Sequence, residues 1–249
     1  MQLLKKLLGI LLLWLIPVLG TAQEYAAING LKMYYEVKGV GDPLLVLHGG
    51  AGSIESMKNI IDYFSESYQV IANDRQGHGK TTDIYGEFSY QSMTDNAIKL
   101  LDHLKLDRVN IIGYSDGGII ALDIAMRYPE RVKKAVYVGT NYHHDGVPES
   151  IKDWIRQSDL PKKIRTLWLT QPTFSIEDLK KIKCPSLILI GDRDGTTLEH
   201  TISLFSNIEN SELSIIPNAT HFVLDEKPDL VHVIMEQFLK KENTDQKRN

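Results

Sequence analysis

The stretch that most limits what this chain can fold into is Gly113-Tyr114-Ser115-Asp116-Gly117-Gly118. A β-branched run over 109–112, apolar but for Asn110, leads into it, and a mostly apolar, helix-like run over 119–126 leads out. A small-x-Ser-x-Gly pattern between a buried strand and a helix is a nucleophile elbow, a turn so tight that glycines must flank the serine. Ser115 is then expected on a strained backbone with its hydroxyl above the sheet edge. The helix that follows would point its N-terminus, with unpaired N–H groups and the positive end of its dipole, at the place where an oxyanion forms. The same short pattern also fits an ordinary glycine-rich turn, so the decision rests on the other loops.

At 249 residues, 43% hydrophobic and 24% charged, the chain suits one α/β domain with a single large core. Its formal charge of -4, with no Lys/Arg run outside the two ends, excludes a nucleic-acid surface. Cys184 is the only cysteine, which rules out an internal disulfide and a thiolate metal cluster. Beside Pro185, it reads as a small core residue. No metal and no cofactor is expected. Residues 1–22 form a separate unit: Lys5 and Lys6, an apolar run over 7–19, then Gly20-Thr21-Ala22. That is the plan of a secretory signal cut after Ala22. The run is shorter than the roughly 20 residues that span a bilayer, although an uncleaved anchor fits the same residues. Export to a periplasm or beyond the cell is expected, with no membrane attachment after cleavage.

Short strands are predicted over 25–28 and 31–37, joined by the hairpin dipeptide Asn29-Gly30. The unbroken apolar run 44–47 reads as a strand buried on both faces. It ends in His48-Gly49-Gly50-Ala51-Gly52-Ser53, a loop in which backbone amides can approach a ligand. A strand over 68–72 runs into Asn73-Asp74-Arg75-Gln76-Gly77-His78-Gly79, whose polar groups are read as a local network that fixes the loop. An amphipathic helix over 91–104 and a strand over 132–138 flank the elbow unit. The alternation of strand and helix then lapses over about 141–182, which reads as a short lid with helical pieces near 149–158 and 175–181. Tyr142, His143, His144, Trp154, Trp168 and Phe174 lie in it. Strands over 186–190 and 212–216 and a last helix over 229–239 complete the domain, residues 23–240, and the charged stretch 241–249 reads as a disordered tail.

Three loops that each follow an apolar strand carry Ser115, the acidic pair Asp192 and Asp194, and His221. In a parallel sheet all three fall on one edge, where open α/β sheets place their sites. Their order is Ser, Asp, His. With His48-Gly49-Gly50, Asp74-Arg75-x-Gly77-His78-Gly79, Gly191-x-x-Asp194 and His221-Phe222, the chain from Tyr25 to Leu239 resembles the α/β-hydrolase fold family of serine hydrolases. The resemblance implies a mostly parallel eight-stranded sheet with helices on both faces, and hydrolysis of a small-molecule ester or amide, with lactone and amino-terminal hydrolysis, or a binding protein that kept the fold, as alternatives. It implies Ser115 as nucleophile, His221 as base and Asp194 as the acid that orients it, with Asp192 as the second choice. Gly50 and Asp116 would supply the oxyanion-hole N–H groups. Elbows reading Ser-Asp-Gly-Gly are similar to those of the valacyclovir-hydrolase-like branch, in which an acid at the position of Asp116 lies near a substrate amino group. Tyr114, Asp116, His143, His144 and Trp168 are accordingly expected to line a substrate pocket.

Overall fold

The computed structural model describes residues 22–84 and 86–241. The expected signal segment therefore lies outside the described residues apart from Ala22, as does the tail beyond Lys241. In chain order the strands are β1 (Ala22–Ile28), β2 (Leu31–Lys38), β3 (Asp42–Leu47), β4 (Tyr68–Asn73), β5 (Val109–Tyr114), β6 (Val132–Val138), β7 (Ser186–Arg193) and β8 (Ser211–Thr220). The helices α1 (Lys58–Phe64), α2 (Tyr90–His103) and α3 (Asp116–Arg127) lie between β3 and β6. After β6 come α4 (Glu149–Gln157), α5 (Lys162–Thr170) and α6 (Ile176–Leu179), then α7 (Leu198–Asn207) between β7 and β8, and α8 (Val223–Glu226) and α9 (Pro228–Lys240) at the end.

The strands form one sheet in the order β1-β2-β4-β3-β5-β6-β7-β8. β1 pairs antiparallel with β2, and β2 antiparallel with β4, while every later pairing is parallel. The hairpin turns where the sequence placed it, with Asn29 and Gly30 both at positive φ (48° and 83°), as a tight turn matching the strand twist requires. β3 shows why its run is apolar without a break. Leu44 and Val46 pack on one side with Ile60 and Phe64 of α1 and Met235 of α9. Leu45 and Leu47 pack on the other with Met93 of α2 and Ile120 of α3. Alternate side chains thus enter two separate cores, and from Leu44 to Leu47 neither face of β3 meets water. Helix α3 is buried from Asp116 to Met126, which matches its apolar character all round.

Between β6 and β7 the sequence predicts two helical pieces, and the structure holds three. The additional one, α5, carries Trp168 and buries Ile164 and Leu167. Its apolar positions cover little more than one turn behind Pro161, too short a run for a helical period to stand out among Lys, Arg and Thr.

Candidate active site

The elbow takes the strained form the sequence requires. Ser115 sits between β5 and α3 at φ 53° and ψ -118°, a region that side chains other than glycine rarely adopt. Its N–H donates to the Val138 carbonyl of β6 at 2.8 Å, which ties the turn to the neighbouring strand. A side chain at Gly117 would run into the backbone oxygens of Leu47 and His48, so only glycine lets α3 lie this close to β3.

Three side chains from three strand ends meet here. His221 Nε2 lies 3.0 Å from Ser115 Oγ, and its Nδ1 lies 3.0 Å and 3.2 Å from the two carboxylate oxygens of Asp194. The Asp194 side chain is wholly buried, whereas His221 keeps 32% of its side chain exposed. Asp194 Oδ1 also accepts the Thr196 N–H at 2.8 Å, which fixes the carboxylate from behind. This set of contacts selects one tautomer: Nδ1–H donates to Asp194, and the bare Nε2 accepts the Ser115 hydroxyl. Burial pushes the imidazole pKa down, but the hydrogen bond and charge of Asp194, with a smaller contribution from Asp116, leave it raised above its ordinary 6.5. Asp192, the other acid of the loop, is exposed and accepts the Ala219 N–H at 3.1 Å instead. Of the two acids, Asp194 is the one in contact with His221.

Asp116 opens α3, so its N–H is among the first-turn donors that no helical carbonyl can take. The Gly49 carbonyl accepts from Arg75 Nη2 at 2.8 Å, from His48 Nδ1 at 2.7 Å and from the Gly52 N–H at 3.3 Å. A Cβ on Gly50 would collide with the Trp168 indole and lie 2.7 Å from Asp116 Oδ2, which places the glycine loop, the elbow and α5 side by side. The Asp116 carboxylate is buried and engaged: Oδ1 accepts the Tyr90 hydroxyl at 2.9 Å, Oδ2 accepts Trp168 Nε1–H at 3.0 Å, and Arg75 Nη2 lies 3.7 Å from Oδ2.

Of the side chains expected to line a pocket, Trp168 reaches the site through Asp116. Tyr114 donates its hydroxyl to the His221 carbonyl at 2.9 Å and packs its ring 5.3 Å from the imidazole, so its contacts support His221. Burial, followed by the charge of Asp194, pushes the Tyr114 pKa well above its ordinary value, which keeps it a donor. His143 and His144 stack on each other at 4.5 Å, with their Nδ1 atoms 3.4 Å and 3.2 Å from the Asp145 carboxylate. Among the described residues they make no contact with Ser115, His221 or Asp194. One ligand atom from each of His143, His144 and Asp145 lies within 4.8 Å of the others, but Lys152 Nζ, 3.3 Å from Asp145 Oδ1, already supplies a cation. Asp74 bridges two loops, accepting the Ile54 and Lys80 N–H groups at 2.8 Å and 2.7 Å, as the network reading expects. Sequence reasoning did not find Tyr90: a tyrosine at the start of an amphipathic helix looks like any core residue until its hydroxyl meets a buried acid.

The fold has counterparts among known proteins. The family described as the α/β hydrolase fold matches residues 42–165, a span that holds the elbow and the glycine loop. The chain is 28% identical to the (E)-2-((N-methylformamido)methylene)succinate hydrolase of Acinetobacter baylyi, over 85% of this chain and 95% of that protein. It is 26% identical to the human serine hydrolase BPHL, over 86% and 84%. Among solved structures it is similar to MGS-M2, an α/β hydrolase from a Medee basin deep-sea metagenome library, with a TM-score of 0.78 and 22% identity over 89% of this chain and 99% of that one. The chain belongs to the α/β-hydrolase fold family, and it is a hydrolase of that fold.

Proposed function

We propose that this protein hydrolyses small carboxylic esters through an acyl-enzyme on Ser115, without a cofactor. The observation that carries the reading is the continuous contact from Ser115 Oγ through His221 to Asp194. Ser115 Oγ attacks the carbonyl carbon as its proton passes to His221 Nε2, and Asp194 stabilises the imidazolium. The tetrahedral oxyanion is held by the N–H groups of Gly50 and Asp116. When it collapses, His221 gives the proton to the departing alkoxide and the alcohol leaves. Water, deprotonated by the same imidazole, then attacks the acyl carbon and frees the acid and Ser115. Turnover of p-nitrophenyl acetate by purified protein tests this: Ser115→Ala should lose at least about 10³-fold in kcat, and unchanged turnover would remove the proposal.

Amides fall within the same chemistry, since the A. baylyi relative is named for a substrate with an N-methylformamido group. Recognition of a substrate ammonium by Asp116 is the weaker reading, because both its oxygens already accept hydrogen bonds and Arg75 stands beside it. Neutral esters should therefore turn over as well as amino-acid esters in one substrate panel.

We further propose that the protein is exported. Lys5, Lys6, the apolar run over 7–19 and Gly20-Thr21-Ala22 support this. N-terminal sequencing of the native protein should begin at Gln23, and a chain that keeps Met1 inside the cell would contradict it.

A further inference from the structure

We propose that Arg75 is a positioning residue, setting the Gly49–Gly50 peptide so that the Gly50 N–H faces the oxyanion. The proposal rests on the reading of Ser115 as nucleophile. In a trans peptide the carbonyl of one residue and the N–H of the next point in opposite directions. Whatever holds the Gly49 oxygen therefore also sets the direction of the Gly50 N–H. Two adjacent glycines have the widest backbone freedom of any pair, and neither has a side chain that could hold that peptide in place. The hold comes from elsewhere: the Arg75 guanidinium at 2.8 Å and the His48 imidazole at 2.7 Å, with the Gly52 N–H at 3.3 Å. His48 is suited to this as a neutral donor. Burial, followed by the charge of Arg75, lowers its pKa well below the ordinary value, and its Nε2 accepts the Arg75 N–H at 3.2 Å.

The burial of Arg75 is hard to explain as a gain in stability. Only 2% of the residue is exposed, and its Nε and Nη1 have no hydrogen-bond partner among the described residues. Burying a guanidinium costs free energy that incomplete pairing does not return. Its one engaged nitrogen, Nη2, lies between the Gly49 carbonyl and Asp116 Oδ2, at 2.8 Å and 3.7 Å. These two contacts reach the peptide that carries the Gly50 N–H and the side chain of Asp116, the two sources proposed for the oxyanion donors. Charge-assisted donation to the Gly49 carbonyl also polarises that peptide and strengthens the Gly50 N–H as a donor.

The test compares Arg75→Met and the double variant Arg75→Met/Asp116→Asn with the wild type, in p-nitrophenyl ester turnover and in inhibition by an alkyl boronic acid. The double variant leaves no buried carboxylate unpaired, so it folds where the single one fails, and wild-type circular dichroism is the criterion for reading either. A lost oxyanion donor should lower kcat by about 10²-fold with KM changed less than about threefold. Boronate affinity should fall with kcat, because the tetrahedral adduct needs the same N–H. A folded variant whose kcat stays within about threefold of wild type, or one in which KM rises while kcat and boronate affinity hold, overturns the inference. In either case Ser115→Ala remains inactive if the underlying reading stands, so the two failures are distinguishable.

Discussion

Among the described residues, the Ser115 hydroxyl has one side chain positioned to take its proton, His221 Nε2 at 3.0 Å. That nitrogen accepts a proton only when the imidazole is neutral, and the His221 pKa lies above 6.5. Activity should therefore climb with pH through a limb centred above pH 6.5, because the protonated base is the inactive form. Asp194→Asn removes the two larger influences that raise the pKa and leaves burial, which lowers it, opposed only by the smaller contribution of Asp116. The limb of kcat/KM should shift to lower pH, while kcat falls roughly 10³- to 10⁴-fold with the loss of the correct tautomer. A limb that stays in place would mean that Asp194 does not set the base. At this scale the sequence was informative where chemistry leaves few choices. Serine, histidine and a Gly-x-x-Asp acid were legible, but the partners of Asp116 were not. Tyr90, Arg75 and Trp168 reach it from three separate elements, and no spacing along the chain encodes that meeting.

Elements hold these atoms through close backbone approach. α3 lies against the end of β3 so tightly that a methyl group at Gly117 would meet the backbone carbonyls of Leu47, the last residue of that strand, and of His48 just after it. Gly117→Ala should cost at least about 2 kcal/mol of unfolding free energy in urea titration. Gly30→Ala, where the added carbon meets open space and only the positive φ is strained, should cost about 1 kcal/mol. Equal costs at the two sites would show that crowding at the elbow is not what selects glycine. Strands were the most legible elements, because β3 and β7 hold unbroken apolar runs over 44–47 and 187–190, and β5 is apolar over 109–112 but for Asn110. The segment between β6 and β7 was the least legible. Its helices are short and half-exposed and take their order from neighbours, and α5 escaped detection although its Trp168 holds Asp116.

For the whole molecule, what matters is convergence. Ser115 and His221 are 106 positions apart in the chain, and Asp194 and His221 are 27 apart, yet the parallel pairing of β5, β6, β7 and β8 brings all three to one edge of the sheet. The order of the motifs made this edge legible from the sequence, since strands that run the same way present their following loops together. Whether the assembled residues act as one unit can be read in a single reaction, labelling with a fluorophosphonate followed by peptide mass spectrometry. The wild type should carry one adduct, on Ser115, while Ser115→Ala and His221→Asn should remain unlabelled under the same conditions. Equal labelling of His221→Asn, or an adduct on any other residue, would contradict the account.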